Sequence, residues 1–135
     1  MNRRQTSLFL LAIAGCSSGR SQTLPPLPTP DDILVTRNST PLTEMKDQTQ
    51  LTKMTAFVNQ RLVGWSVPWY GAPVGQIYFT FRNEGRATGN FYVGPWFFGR
   101  DNGDFLSRTT TKDEIIELER ITGLPILSYV EGASK

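Results

Sequence analysis

Asp101 and Asp104 flank the dipeptide Asn102-Gly103, and in type and spacing they come closest to groups that could do chemistry. Two neighbouring carboxylates act as an acid–base pair, or share a cation, when their environments differ or further oxygen ligands complete a shell. Neither condition is met by the sequence. No distal Glu stands at calcium-loop spacing, and a two-residue hairpin places the two carboxylates directly opposite, where like charges repel. Ser107 and Lys112 are a second combination, but Lys112 falls in the first turn of a capped helix, where an amine stays solvated and is not activated. Residues 71–75 read as a turn and lack phosphate-cradling spacing. The chain has no His, which removes Ser-His-Asp and Cys-His nucleophiles, imidazole ligands and any ordinary side chain titrating near neutrality. Its single Cys excludes an internal disulfide and a Cys-based zinc site. This inventory speaks against an enzyme and against a metal or dissociable cofactor; a carboxylate-dependent hydrolase at Asp101 and Asp104 is the least favoured reading.

The aromatic residues are more informative. Thirteen of the fifteen lie between Phe57 and Phe105, and eight of the twelve glycines lie between Gly64 and Gly103. A period of two through residues 91–100 puts Tyr92, Trp96, Phe98 and Phe105 on one face of a sheet and Phe91, Val93, Phe97 and Leu106 on the other. A bulge at Pro95 would reverse the second half. Both faces then carry large rings, and two short helices cover only one of them. The candidate binding residues are Trp65, Trp69, Tyr70, Tyr78, Tyr92 and Trp96, with Arg100 at the rim. They would serve an exposed platform for a protein, a peptide or a glycan. The competing reading folds the loop of residues 65–70 back over the second face as a small core. Exposure of the three Trp side chains separates the two.

The elements that must position these residues follow from pattern. Thr40 followed by Pro41 reads as an N-cap and first helical position, opening a helix with Leu42, Met45, Leu51, Met54, Phe57, Val58 and Leu62 on its apolar stripe and Gly64 at its end. Residues 75–82 alternate cleanly as a half-buried strand, with Ile77, Phe79 and Phe81 on one side and Tyr78, Thr80 and Arg82 on the other. A polar loop over 83–90 precedes a second strand over 91–100, and Asn102-Gly103 predicts a hairpin into a third over 104–108. Thr111 and Glu114 form a capping box that opens a second helix, stopped by Gly123 and Pro125. Residues 126–130 read as a last short edge strand. The expected fold is α+β: a small antiparallel sheet of three to four strands, with an N-terminal and a C-terminal helix packed on one face.

The beginning of the chain has a different character. Arg3 and Arg4 precede the apolar run of residues 8–14, which is too short to span a bilayer as a helix and has the layout of an export signal. Ala12-Ile13-Ala14 fits an ordinary cleavage site, whereas Ile13-Ala14-Gly15-Cys16 resembles the lipobox of bacterial lipoproteins. A short apolar run ending at the only Cys favours the second reading. The resemblance covers the signal alone. It implies a covalent lipid on Cys16 and, with Ser17 rather than Asp following, delivery to an outer membrane facing the periplasm. Residues 17–30 carry four of the nine prolines and read as a polyproline-like spacer, with a weak P-x-x-P match at residues 25–28. The expected organisation is therefore signal peptide over 1–15, lipidated Cys and disordered tether over 16–39, globular domain over 40–130 and a flexible tail over 131–135.

The charge balance completes the picture. Lys and Arg number 14 against 12 acidic residues, and removing Arg3 and Arg4 with the signal leaves 12 of each sign. Nucleic-acid binding thus loses its support. The expected function is a membrane-anchored, non-catalytic envelope lipoprotein that engages a protein partner, of accessory or inhibitor type; the alternative is a cell-wall glycan or small-ligand binder using exposed Trp and Tyr.

Overall fold

The computed structural model describes residues 21–68 and 77–133. In chain order these form β1 (Asp32–Arg37), β2 (Thr40–Met45), α1 (Gln48–Asn59), β3 (Ile77–Asn83), β4 (Arg86–Val93), β5 (Phe97–Asn102), β6 (Asp104–Thr109), α2 (Lys112–Thr122) and α3 (Ile126–Ala133). The strands make one antiparallel sheet in the order β2-β1-β3-β4-β5-β6. The class is α+β, but the expected three to four strands are corrected to six and the two helices to three. Sheet dominates.

Two of the additional strands come from segments assigned to the tether and to the first helix. β1 lies inside the sheet, between β2 and β3, and Ile33 and Val35 are fully buried at alternate positions. Asn38 and Ser39 both have positive φ, 51° and 68°, which lets a two-residue turn return the chain as β2. Pro41 is tolerated there because β2 is an edge strand and no outer neighbour needs its missing N–H. The helix therefore starts later. Asp47 is its N-cap, accepting from the Gln50 N–H at 2.9 Å, and Leu51, Met54, Phe57 and Val58 form the buried stripe.

The proline-rich segment also departs from a free spacer. Leu24 and Leu27 are buried in the core, and the backbone groups around them find partners. Gln22 bridges Trp65, Leu24 N–H donates to the Leu62 carbonyl at 2.7 Å, and Leu27 is held by Asn59. Residues 22–30 are thus a strap across one end of the core. A run poor in apolar residues still packs when its two leucines land on one side and its polar groups are satisfied.

The remaining corrections concern turns. Asn83 pairs with Arg86 around Glu84 and Gly85, at φ 52° and 78°, so most of the expected 83–90 loop is strand. The expected single strand over 91–100 is two strands folded on each other, closed by the Gly94 N–H donating to the Phe97 carbonyl at 3.0 Å. Pro95 and Trp96 occupy that turn. The return reverses parity: Phe98 faces the core beside Phe91, while Phe97 lies with Phe105 on the other face. Residues 126–130 open a helix rather than an edge strand. Pro125 suits a helix start, and Ile126 and Val130, four apart, are both buried. The expected tail is partly this same helix. The α2 capping box is present as read, and Gly123 ends that helix at φ 75°.

All three helices cover the sheet face that carries Ile33, Val35, Phe79, Phe81, Phe91, Val93, Phe98 and Leu106. Phe57 of α1 stands edge-on to Phe91 at 6.1 Å and to Phe98 at 5.8 Å, the favoured geometry for ring quadrupoles. Arg61, just beyond α1, donates from Nε to Glu114 of α2 at 2.7 Å and lies over the Phe57 ring at 3.7 Å. Among the described residues the opposite face of the sheet bears no helix.

Candidate functional site

Two surfaces place the sequence candidates. The first is the helix-free face. Register sets its rows: Tyr78 pairs with Tyr92 and Tyr92 with Gly99, while alongside them Thr80 pairs with Asn90 and Asp101 pairs with Phe105. Gly99 leaves a gap in the first row, and the Phe105 ring leans into it. A Cβ at Gly99 would meet Phe105 at 2.6 Å and Tyr92 at 2.9 Å. The rings consequently form a strip: Tyr78 to Tyr92 at 4.7 Å, Tyr92 to Phe105 at 5.5 Å and Phe105 to Phe97 at 6.3 Å between centroids. Tyr78 is exposed, Tyr92 and Phe105 are half-buried, and Phe97 is buried behind them.

A polar row runs beside the rings. Thr80 donates to Asn90 Oδ1 at 2.9 Å, Asn90 Nδ2 donates to Asp101 Oδ2 at 3.4 Å, and the Tyr92 hydroxyl donates to the same carboxylate oxygen. Burial, reinforced by the hydrogen bond to Asp101 and its charge, pushes the Tyr92 phenol above its ordinary range. The hydroxyl therefore remains a neutral donor, and Asp101 keeps its second oxygen for another partner. At the far end of the face Arg82 forms a two-bond pair with Asp32, at 2.8 Å for each bond. That pairing, with burial opposing it, holds the Asp32 carboxyl below the usual carboxylate range.

The Asp101/Asp104 expectation is corrected by register. Asp101 faces Phe105 and Asn102 faces Asp104 around Gly103, so the two carboxylates are not cross-strand partners. Among the described residues no three His, Cys, Asp or Glu side chains group as metal ligands.

The second surface surrounds Trp96. The turn that carries it, the first turn of α2 and the side of α3 form a small apolar groove of about 70 Å³. Pro95, Trp96, Ile115, Leu127 and Val130 supply its apolar lining, and the Thr110 N–H, donating to the Trp96 carbonyl at 3.2 Å, fixes the turn against α2. Trp96 itself is 75% exposed, whereas Ile115 and Val130 are buried in the floor. Exposure of that extent is costly for so large an apolar ring.

The other candidates separate from these surfaces. Trp65 is fully buried, donating from Nε1 to the Arg61 carbonyl at 2.7 Å, so it belongs to the core. Arg100 points to the core side opposite Phe91, is 2% exposed, and sits under the strap with one bond to the Pro25 carbonyl at 3.3 Å. It rims neither surface because the turn at residues 94–97 reversed the strand parity. Trp69, Tyr70 and the lipid-attachment candidate Cys16 lie outside the described residues. Sequence reasoning did not single out Asn90 or assign Asp101 to a ring strip. The available signal was the pairing of Asn90 opposite Thr80, hidden while residues 83–90 read as a loop.

Among the described residues no helix is long and apolar enough to cross a membrane. No protein-family model, curated protein or solved structure matches the chain.

Proposed function

We propose that this chain is a lipid-anchored, non-catalytic interaction module of a bacterial envelope, tethered through Cys16 and engaging a protein partner through the groove beneath Trp96. The observation that carries the reading is Trp96, a large ring 75% exposed at the lip of an apolar groove. Interfaces concentrate their binding energy in a few aromatic anchors set against desolvated pockets, and Trp is the residue most enriched among them. An apolar side chain of the partner would enter over Ile115 and Val130 and be covered by the indole. The turn holding Trp96 is fixed at both ends by backbone hydrogen bonds, so little ordering cost remains for binding.

The anchor reading rests on the lipobox resemblance at residues 13–16, and two or three acyl chains suffice for stable attachment at about 0.8 kcal/mol per buried CH₂. Both halves are tested in producing cells. A photoreactive residue replacing Trp96 should give one discrete protein adduct, and the same residue at Gly85, in the β3–β4 turn, should give none. Metabolic labelling with an alkyne fatty acid should mark the wild type and leave Cys16→Ser unmarked. Equal adducts from both positions, or none, overturn the groove reading, and labelled Cys16→Ser overturns the anchor.

A further inference from the structure

We propose that the helix-free sheet face is a second, separate binding site, which takes a neutral glycan strand on Tyr78, Tyr92 and Phe105, with Asp101 and Asn90 bonding its hydroxyls. The ligand class follows from two strips lying side by side. A pyranose has an apolar face of axial C–H groups and an equatorial edge of hydroxyls. The ring strip matches the first and the Thr80–Asn90–Asp101 row matches the second. The strip runs over centroid steps of 4.7 Å and 5.5 Å with Tyr78 edge-on to Tyr92 at 74°, so the rings together offer one continuous apolar wall to a sugar chain rather than one ring to each sugar. C–H groups against an aromatic face, together with hydroxyl-to-carboxylate bonds, give each sugar both a position and an orientation.

Charge narrows the class further. The nearest cations on β5 and β6, Arg100 and Arg108, both turn to the core side, the first under the strap and the second against the Val63 carbonyl at 3.0 Å. Arg82, beyond Thr80 on this face, is neutralised by its pair with Asp32, so among the described residues what stands beside the rings is a carboxylate with amide and hydroxyl groups, a set that repels phosphate and carboxylate ligands. The rings also touch one another, leaving no cage between them for an ammonium group. Gly99 is the device that permits the strip. Without a side chain there, Phe105 closes on Tyr92 across the strand between them.

The test is calorimetric titration of the full-length chain in mild detergent with the hexamer of β-1,4-linked N-acetylglucosamine. Saturable binding is expected, weakened about five- to tenfold in Tyr78→Ala and by a similar factor in Asp101→Ala. Gly99→Ala should also weaken it, since the added methyl drives the Phe105 and Tyr92 rings apart. Trp96→Ala should bind normally, which keeps this site independent of the groove. Circular dichroism confirms that each variant is folded. Three results overturn the proposal: no heat with the hexamer, undiminished binding by the folded Tyr78→Ala and Asp101→Ala proteins, or a polyarginine peptide binding in place of the sugar.

Discussion

The Asn59 side chain grips both backbone groups of Leu27, its Oδ1 accepting from the Leu27 N–H at 2.9 Å and its Nδ2 donating to the Leu27 carbonyl at 2.8 Å. The amide plays the part of a neighbouring strand, fastening the strap of residues 22–30 to the end of α1. Leu27 then fills the space above Gly89, where its Cδ2 would come within 2.5 Å of an added Cβ. Asn59→Ala should therefore cost about 2 kcal/mol, from two part-buried bonds lost and two backbone groups left without partners. Urea denaturation reads this directly. An unchanged midpoint would show that the strap contributes nothing to the fold.

Glu114 supplies an acid-sensitive contact between helices. Burial raises its pKa, but the Arg61 hydrogen bond, the Thr111 N–H and the Thr110 hydroxyl outweigh burial, and the carboxyl sits below its ordinary value of 4.5. A group whose folded pKa is depressed adds stability above its unfolded pKa and loses it as pH falls through the folded one. Glu114→Gln should cost about 1–3 kcal/mol at pH 7, and the gap to wild type should close progressively below about pH 4.5. Melting temperature against pH checks the sign. A gap that widens in acid contradicts the contact.

Which parts were legible in the sequence follows from how local their causes are. The capping box at Thr111 and Glu114 and the alternation of β3 depend on neighbours a few residues away, and both stand as read. Thr40-Pro41 carries a sound helix-start signal, yet the Asn38-Ser39 turn and pairing with β1 draw it into an edge strand. Leu24 and Leu27 looked stranded among prolines because their partners, Leu62 and Asn59, are more than thirty residues away. The ring strip was half visible. Tyr78 and Tyr92 fall on one face by simple alternation, but placing Phe98 and Arg100 required knowing that residues 94–97 turn rather than bulge.

Tryptophan emission separates core from surface. In a variant retaining Trp65 alone, emission should be blue and shielded from acrylamide, since that ring is fully buried. A variant retaining Trp96 alone should emit near the wavelength of free indole and be quenched efficiently. Trp96→Ala should leave stability within about 0.5 kcal/mol of wild type, because it removes surface rather than core. A shielded Trp96 would mean that something already occupies the groove.

Arg100 offers the reverse case, a charged residue whose removal should help. Its guanidinium is 2% exposed and its one bond, to the Pro25 carbonyl, spans 3.3 Å. Nε and Nη1 are buried without hydrogen-bond partners, and no ion pair reaches the group among the described residues. Desolvation lowers its pKa, and the Asp101 charge opposes that without overcoming it. Burial of an unpaired cation costs several kcal/mol, whereas an unbranched apolar side chain of similar length fills the same space at no such penalty. Arg100→Met should therefore raise stability by about 1–2 kcal/mol, measured from the urea midpoint with an unchanged slope. Leu27→Ala, in the strap above, should instead lower it by about 2–3 kcal/mol through the cavity it leaves. If Arg100→Met is destabilised as strongly as Leu27→Ala, the guanidinium is a fastening of the strap and its burial is favourable overall.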